Sequence, residues 1–110
     1  KIIDFWASRC GPCRHENPNI VKIYKEYHSK GLEILGVSLD QKKEDWLKAI
    51  EDDGLTWNHV SDLKGWACAA ASLYAVSGIP HMIVLDENNV IVAKDLRGNA
   101  LKEKVAEMLK

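Results

Sequence analysis

Two cysteines three residues apart, in Cys10-Gly11-Pro12-Cys13, are the side chains most able to do chemistry. They follow an apolar run, Ile2-Ile3-Asp4-Phe5-Trp6, and precede a segment of helical periodicity. Strand, dithiol, helix puts the first sulfur at a helix N-terminus, where unpaired N–H groups and the helix dipole favour an anion. A free thiol of pKa ~8.5 is only about 3% thiolate at pH 7. At a pKa of ~7, within reach of a Cys-x-x-Cys setting, half is thiolate, a gain of more than about tenfold. Cys10 is therefore read as the nucleophile. Cys13, one turn further in, is read as the sulfur that attacks a mixed disulfide on Cys10 and releases the reduced substrate. Zinc is the competing use of such a pair, but it usually wants two more ligands at matched spacing. No second Cys pair exists, and the histidines are scattered at 15, 28, 59 and 81. The reading is a redox dithiol without metal or cofactor.

Asp4 is the only charge in its apolar run. A buried unpaired carboxylate is costly or has a raised pKa, so the position needs a reason. Either it lies beneath the dithiol and exchanges the Cys13 proton, or it is a strand-end Asp bound to nearby backbone. Glu16, three residues after Cys13, falls on the same side of the helix. It is a second acid/base candidate, or a solvated first-turn Glu favoured by the dipole. Ile79-Pro80 precedes a strand-like run. A cis bond there would place the Ile79 backbone beside the dithiol for strand-like pairing with a peptide. Trp6, Gly11, Pro12, Ile79 and Pro80 form the candidate substrate-binding set. His81 is placed to face the site, and Cys68, in an alanine-rich stretch, reads as a small buried hydrophobe.

These residues must be positioned by an α/β layer fold. Residues 2–7 read as a buried strand and Pro12–Lys30 as a helix, with Ile20, Ile23, Tyr24 and Tyr27 on one face. Pro12 suits the first turn, Pro18 should kink the helix, and Gly31 suits its end. Glu33–Leu39 reads as a second, parallel strand, Lys43–Asp53 as a helix stopped by Gly54, and Trp57–Val60 as a short strand. Gly65–Tyr74 reads as helical. His81–Leu85 and Val90–Ala93 read as a hairpin around Asp86–Asn89. A last amphipathic helix follows Asn99 as N-cap. Parallel strands come first and an antiparallel hairpin last.

The chain has 110 residues, 46% hydrophobic and 28% charged, which suits one soluble domain with a core of its own. A net charge of −1 suggests neither nucleic acid nor an anionic membrane as partner. No apolar stretch approaches the ~20 residues of a membrane span. Three cysteines do not make a disulfide framework. The chain opens at Lys1 inside a strand-like run, so it reads as a fragment whose upstream part is missing.

Asp4-Phe5-Trp6-Ala7-Ser8 leading into Cys10-Gly11-Pro12-Cys13-Arg14 resembles the active site of the thioredoxin-like superfamily. The closest likeness is to TlpA/ResA-like thiol–disulfide oxidoreductases, and it covers essentially the whole chain. The resemblance implies a thioredoxin-like fold: a central mixed sheet flanked by helices, with Asp40–Leu63 as an added αβ segment before the cis-Pro loop. It implies Cys10 attacking, Cys13 resolving, Asp4 as the buried acid, Glu16 in an E-x-P segment, and Pro80 cis. It also implies a disulfide-containing protein substrate, an upstream thiol donor, a monomer without membrane contact of its own, and a periplasmic or cell-envelope setting. Gly11-Pro12 resembles reducing members more than strongly oxidising ones. A peroxiredoxin-like peroxidase is the alternative, but Trp6-Ala7-Ser8-Arg9-Cys10 lacks the Pro found upstream of peroxidatic cysteines. One departure stands out. The family usually has Trp before the first Cys, and this chain has Arg9, whose charge would favour the Cys10 thiolate and an acidic partner.

Overall fold

The computed structural model describes residues 1–109. In chain order the elements are β1 (Ile2–Trp6), α1 (Gly11–Tyr27), β2 (Ile34–Ser38), α2 (Lys43–Asp53) and β3 (Asn58–Val60). Then come α3 (Ala69–Leu73), β4 (His81–Leu85), β5 (Ile91–Lys94) and α4 (Gly98–Met108). The sheet runs β3-β2-β1-β4-β5, so β1 is its central strand. β1, β2 and β3 pair in parallel, while β4 is antiparallel to both β1 and β5. The expected order of parallel strands followed by a hairpin is what forms.

Alternation along the strands builds two cores. Ile2 and Trp6 of β1, Ile34 of β2, and Met82 and Val84 of β4 face α1, α2 and α4. Phe5, Val37, Ile83 and Leu85 face the other way, toward Cys68, Ala71 and Val76 around α3. Cys68 is a free, buried thiol in that second core. Asp4 lies between Ile2 and Trp6, so it belongs to the α1 side.

α1 runs through Pro18 because its buried stripe, Ile20, Ile23 and Tyr27, is fixed by the sheet beneath. It tightens into a 3-10 turn at His28–Lys30 and closes on Gly31 at φ 108°, a left-handed conformation that suits glycine.

Two local expectations are corrected. Gly65–Tyr74 is a 3-10 turn (Gly65–Ala67) and a short helix (Ala69–Leu73), broken at Cys68, where ψ is 126°. The Asp62 carboxylate accepts from the backbone N–H groups of Lys64 and Ala69 and so organises both pieces. Asn99 is not the N-cap of α4, which starts one residue earlier, at Gly98. The Gly98 N–H donates to Glu16 Oε1 at 2.8 Å, so the capping acceptor comes from α1 rather than from the adjacent chain.

Candidate active site

Cys10 is the N-cap of α1, with Gly11 and Pro12 opening the helix. Its extended backbone turns the Sγ back over the first turn, where the Cys13 N–H donates to it at 3.2 Å. The two sulfurs are joined as a disulfide. The pair is asymmetric. Cys10 is half-buried, whereas Cys13 is only 1% exposed and lies in the core with Trp6 and Ile20. An incoming sulfur therefore meets Cys10 first. On reduction, the same N–H and helix terminus would stabilise negative charge on Cys10.

Asp4 is 2% exposed, and its Oδ1 has no hydrogen-bond partner. Burial, with a smaller push from the Glu16 charge, raises its pKa from 3.8 to about 7. The alternative of a strand-end Asp bound to backbone is not what Oδ1 does. Glu16 is half-buried and is occupied structurally: Oε1 accepts from Gly98 N–H and from Asn19 Nδ2, each at 2.8 Å. That differs from both expectations for Glu16, although its charge still reaches Asp4.

The Ile79–Pro80 peptide is cis. The Ile79 carbonyl oxygen stands 3.7 Å from Cys10 Sγ, so this loop borders the dithiol. Arg97 fixes the loop from behind by donating to the Pro80 carbonyl at 2.8 Å. Gly11 and Pro12 are exposed and Ile79 is half-buried, but Pro80 is buried and backs the loop rather than forming its face. Trp6 is a correction. At 1% exposure, edge-on to His59, it is a core residue and offers no surface to a substrate. His81 is also turned away, toward Phe5 and Asp95. Arg9 is mostly exposed and pairs with Asp45 at 3.4 Å, so its charge is shared with α2. Across a cleft from Arg9, Trp66 offers an exposed aromatic face.

The residues that hold the Ser8–Cys10 loop were missed in the sequence. Buried Asp40, just past β2, accepts from the Ser8 N–H at 3.0 Å and from the hydroxyls of Ser8 and Ser38. Arg14 donates to both carboxylate oxygens of Asp53, at 2.6 and 3.0 Å, and to the Ser8 carbonyl at 3.2 Å. Asn17 adds a third bond to Asp53. Among the described residues, no group of three or more His, Cys, Asp or Glu side chains could hold a metal ion. No described helix is long and apolar enough to cross a membrane.

A thioredoxin-like family model matches residues 1–91. The chain is 32% identical over 108 residues to the thiol-disulfide oxidoreductase ResA of Geobacillus thermodenitrificans, covering 98% of this chain and 60% of that relative. It therefore spans under two thirds of that relative's length. Among solved structures, it superposes on the thioredoxin domain of a Bacteroides vulgatus thiol-disulfide oxidoreductase with a TM-score of 0.91 and 40% identity. That match covers 99% of this chain and 78% of the other. A thiol-disulfide oxidoreductase of Bacteroides fragilis gives a TM-score of 0.92 at 38% identity, covering 98% and 80%.

Proposed function

The chain belongs to the thioredoxin-like family, on its TlpA/ResA-like branch, and from that premise we propose that it reduces disulfides in protein substrates. The observation that carries the reading is the unequal burial of the two sulfurs, and it is supported by a buried, under-bonded carboxyl on the α1 side of β1 whose pKa burial raises. The Cys10 thiolate attacks a substrate disulfide; one S–S bond breaks, one forms, and a substrate thiolate leaves. The Cys13 thiol then gives its proton to the Asp4 carboxylate, directly or through water, and attacks Cys10 Sγ. That closes the Cys10–Cys13 disulfide and expels the second substrate thiolate. Two electrons pass to the substrate, and its two thiolates take protons from solvent. An upstream dithiol returns the pair to its reduced form.

Ile79 offers its backbone beside Cys10 for strand-like pairing with an extended peptide, while Gly11 and Pro12 leave the approach open. Glu16 acts through its charge on Asp4 and by holding the start of α4, and Pro80 shapes the loop. A compartment where protein disulfides persist, such as the cell envelope, suits this task.

The test is reduction of a disulfide-bonded protein by the chain with a dithiol donor. Cys10→Ser should abolish turnover. Cys13→Ser should instead trap a mixed disulfide on Cys10, visible as a covalent adduct by mass. Full activity in Cys10→Ser, or peroxide consumption outpacing disulfide reduction, overturns the reading.

A further inference from the structure

His59 takes no part in the chemistry above, yet it is half-buried and neither ring nitrogen has a hydrogen-bond partner. Its place in the sheet explains where it points. Asp4 pairs with Gly36 across β1 and β2, and Gly36 pairs with His59 across β2 and β3. The three residues form one row, and residues in register on adjacent parallel strands present their side chains to the same face.

The middle position of the row has no side chain, and the His59 ring occupies its space. A Cβ on Gly36 would overlap the imidazole, Nδ1 most severely. The ring therefore lies over β2, with its centroid 5.8 Å from that of Trp6 on β1. Trp6 is the residue two positions beyond Asp4 on the same face. Two partnerless polar groups, Asp4 Oδ1 and the imidazole, thus share one buried row with only a glycine between their strands.

We propose that His59 is a positioning residue for the dithiol's proton chemistry, acting on Asp4 across Gly36. The inference rests on Asp4 serving the dithiol as proposed above. Other groups facing this row are few. Glu16 acts on Asp4 from α1. Met82 lies opposite Asp4 on β4 and carries no charge. Trp57 also packs against the His59 ring, with Tyr24 tilted against Trp57 and His28 stacked on Tyr24. The Leu55 backbone approaches the imidazole and favours its charged form, against the larger effect of burial. Burial holds His59 below its usual pKa, so at neutral pH the ring is an uncharged polar neighbour. It stabilises the Asp4 carboxylate by dipole, directly or through one water, where Phe or Leu would not.

The test is a carboxyl-carbon NMR titration of the oxidised chain from about pH 4 to about pH 9, with Asp4 assigned through Asp4→Asn. In the unaltered chain the His59 ring nitrogens should show an inflection at the Asp4 midpoint. His59→Phe should move that midpoint up by about half a pH unit or more. His59→Gln, which keeps a polar group, should move it less. An unmoved midpoint in a folded His59→Phe variant overturns the proposal. Should that variant fail to fold, absence of the His59 inflection in the unaltered chain overturns it instead. The titration needs no turnover, so the two readings fail separately. An inactive chain with coupled titration removes the redox reading and leaves the His59–Asp4 coupling standing without its role in disulfide chemistry. An active chain without coupling removes only the role of His59.

Discussion

Two buried aspartates, one on the strand that leads to the dithiol and one bonded to the loop before it, are treated in opposite ways. Asp40 is 6% exposed, and its carboxylate takes hydrogen bonds from Ser8 and Ser38. Asp4 is 2% exposed and leaves Oδ1 without a partner. The fully bonded carboxylate fixes a backbone: it ties the loop before Cys10 to the end of β2. The under-bonded one is poor at fixing anything, because burial without partners favours its protonated form. That is the property a proton acceptor near pH 7 requires. Under the proposed mechanism the same residue type serves geometry in one place and proton affinity in the other, and the number of donors aimed at it decides which.

The sharpest test of this contrast is stability against pH. Asp4 has a folded pKa of about 7 and an ordinary value of 3.8, so the folded state binds more protons between them. Stability should therefore fall as pH rises through that window. Asp4→Asn mimics the protonated carboxyl and should escape the loss. Near pH 4 it should match the unaltered chain; near pH 8 it should be more stable by roughly 4 kcal/mol in urea unfolding. A constant gap across that range would break the comparison. The same variant should slow disulfide closure at Cys13, measured by stopped-flow with a trapped mixed disulfide.

Asp40→Ala should act with the opposite sign. It strands the Ser8 N–H and leaves the Ser8 and Ser38 hydroxyl hydrogens without their carboxylate acceptor, costing about 2–3 kcal/mol in urea unfolding at neutral pH. A stabilising Asp40→Ala would remove the distinction between the two carboxylates. Arg14→Met tests whether the loop's second tie matters as well. It leaves Asp53 partly buried and without its guanidinium, so a loss of about 1–2 kcal/mol by thermal or urea unfolding is expected. The smallest effect belongs to Arg9→Ala. An exposed pair at 3.4 Å should change stability by no more than about 0.5 kcal/mol, which a urea midpoint resolves.

Asp4 was legible because a lone charge interrupts an apolar run, a contrast visible within five residues. Cys10 and Cys13 were legible for the same reason, since strand, dithiol and helix are contiguous. Asp40 carries no such signal: it looks like any Asp closing a strand, and Ser8 is 32 residues away. Glu16 and Gly98 are 82 residues apart, so a cap borrowed from another helix hid behind the nearer Asn99. The sequence leaves Trp6 either in the core or at the site rim, because it adjoins the dithiol in the chain; strand alternation turns its indole into the core. The relation of Asp4 to His59 needs the register of three strands, which no local pattern supplies.

The segment from Asp40 to Leu63 has a consequence for anyone wishing to shorten this protein. It contributes Asp40 to Ser8, Asp53 to Arg14, Asp45 to Arg9 and His59 to the row of Asp4. A minimal version that spliced β2 directly to the alanine-rich turn would keep every cysteine and the proline loop. It would nonetheless lose the partners of the three residues flanking the dithiol. The segment is a bracket rather than an ornament, so a chimera carrying only the motif residues should inherit the sulfur atoms without their setting.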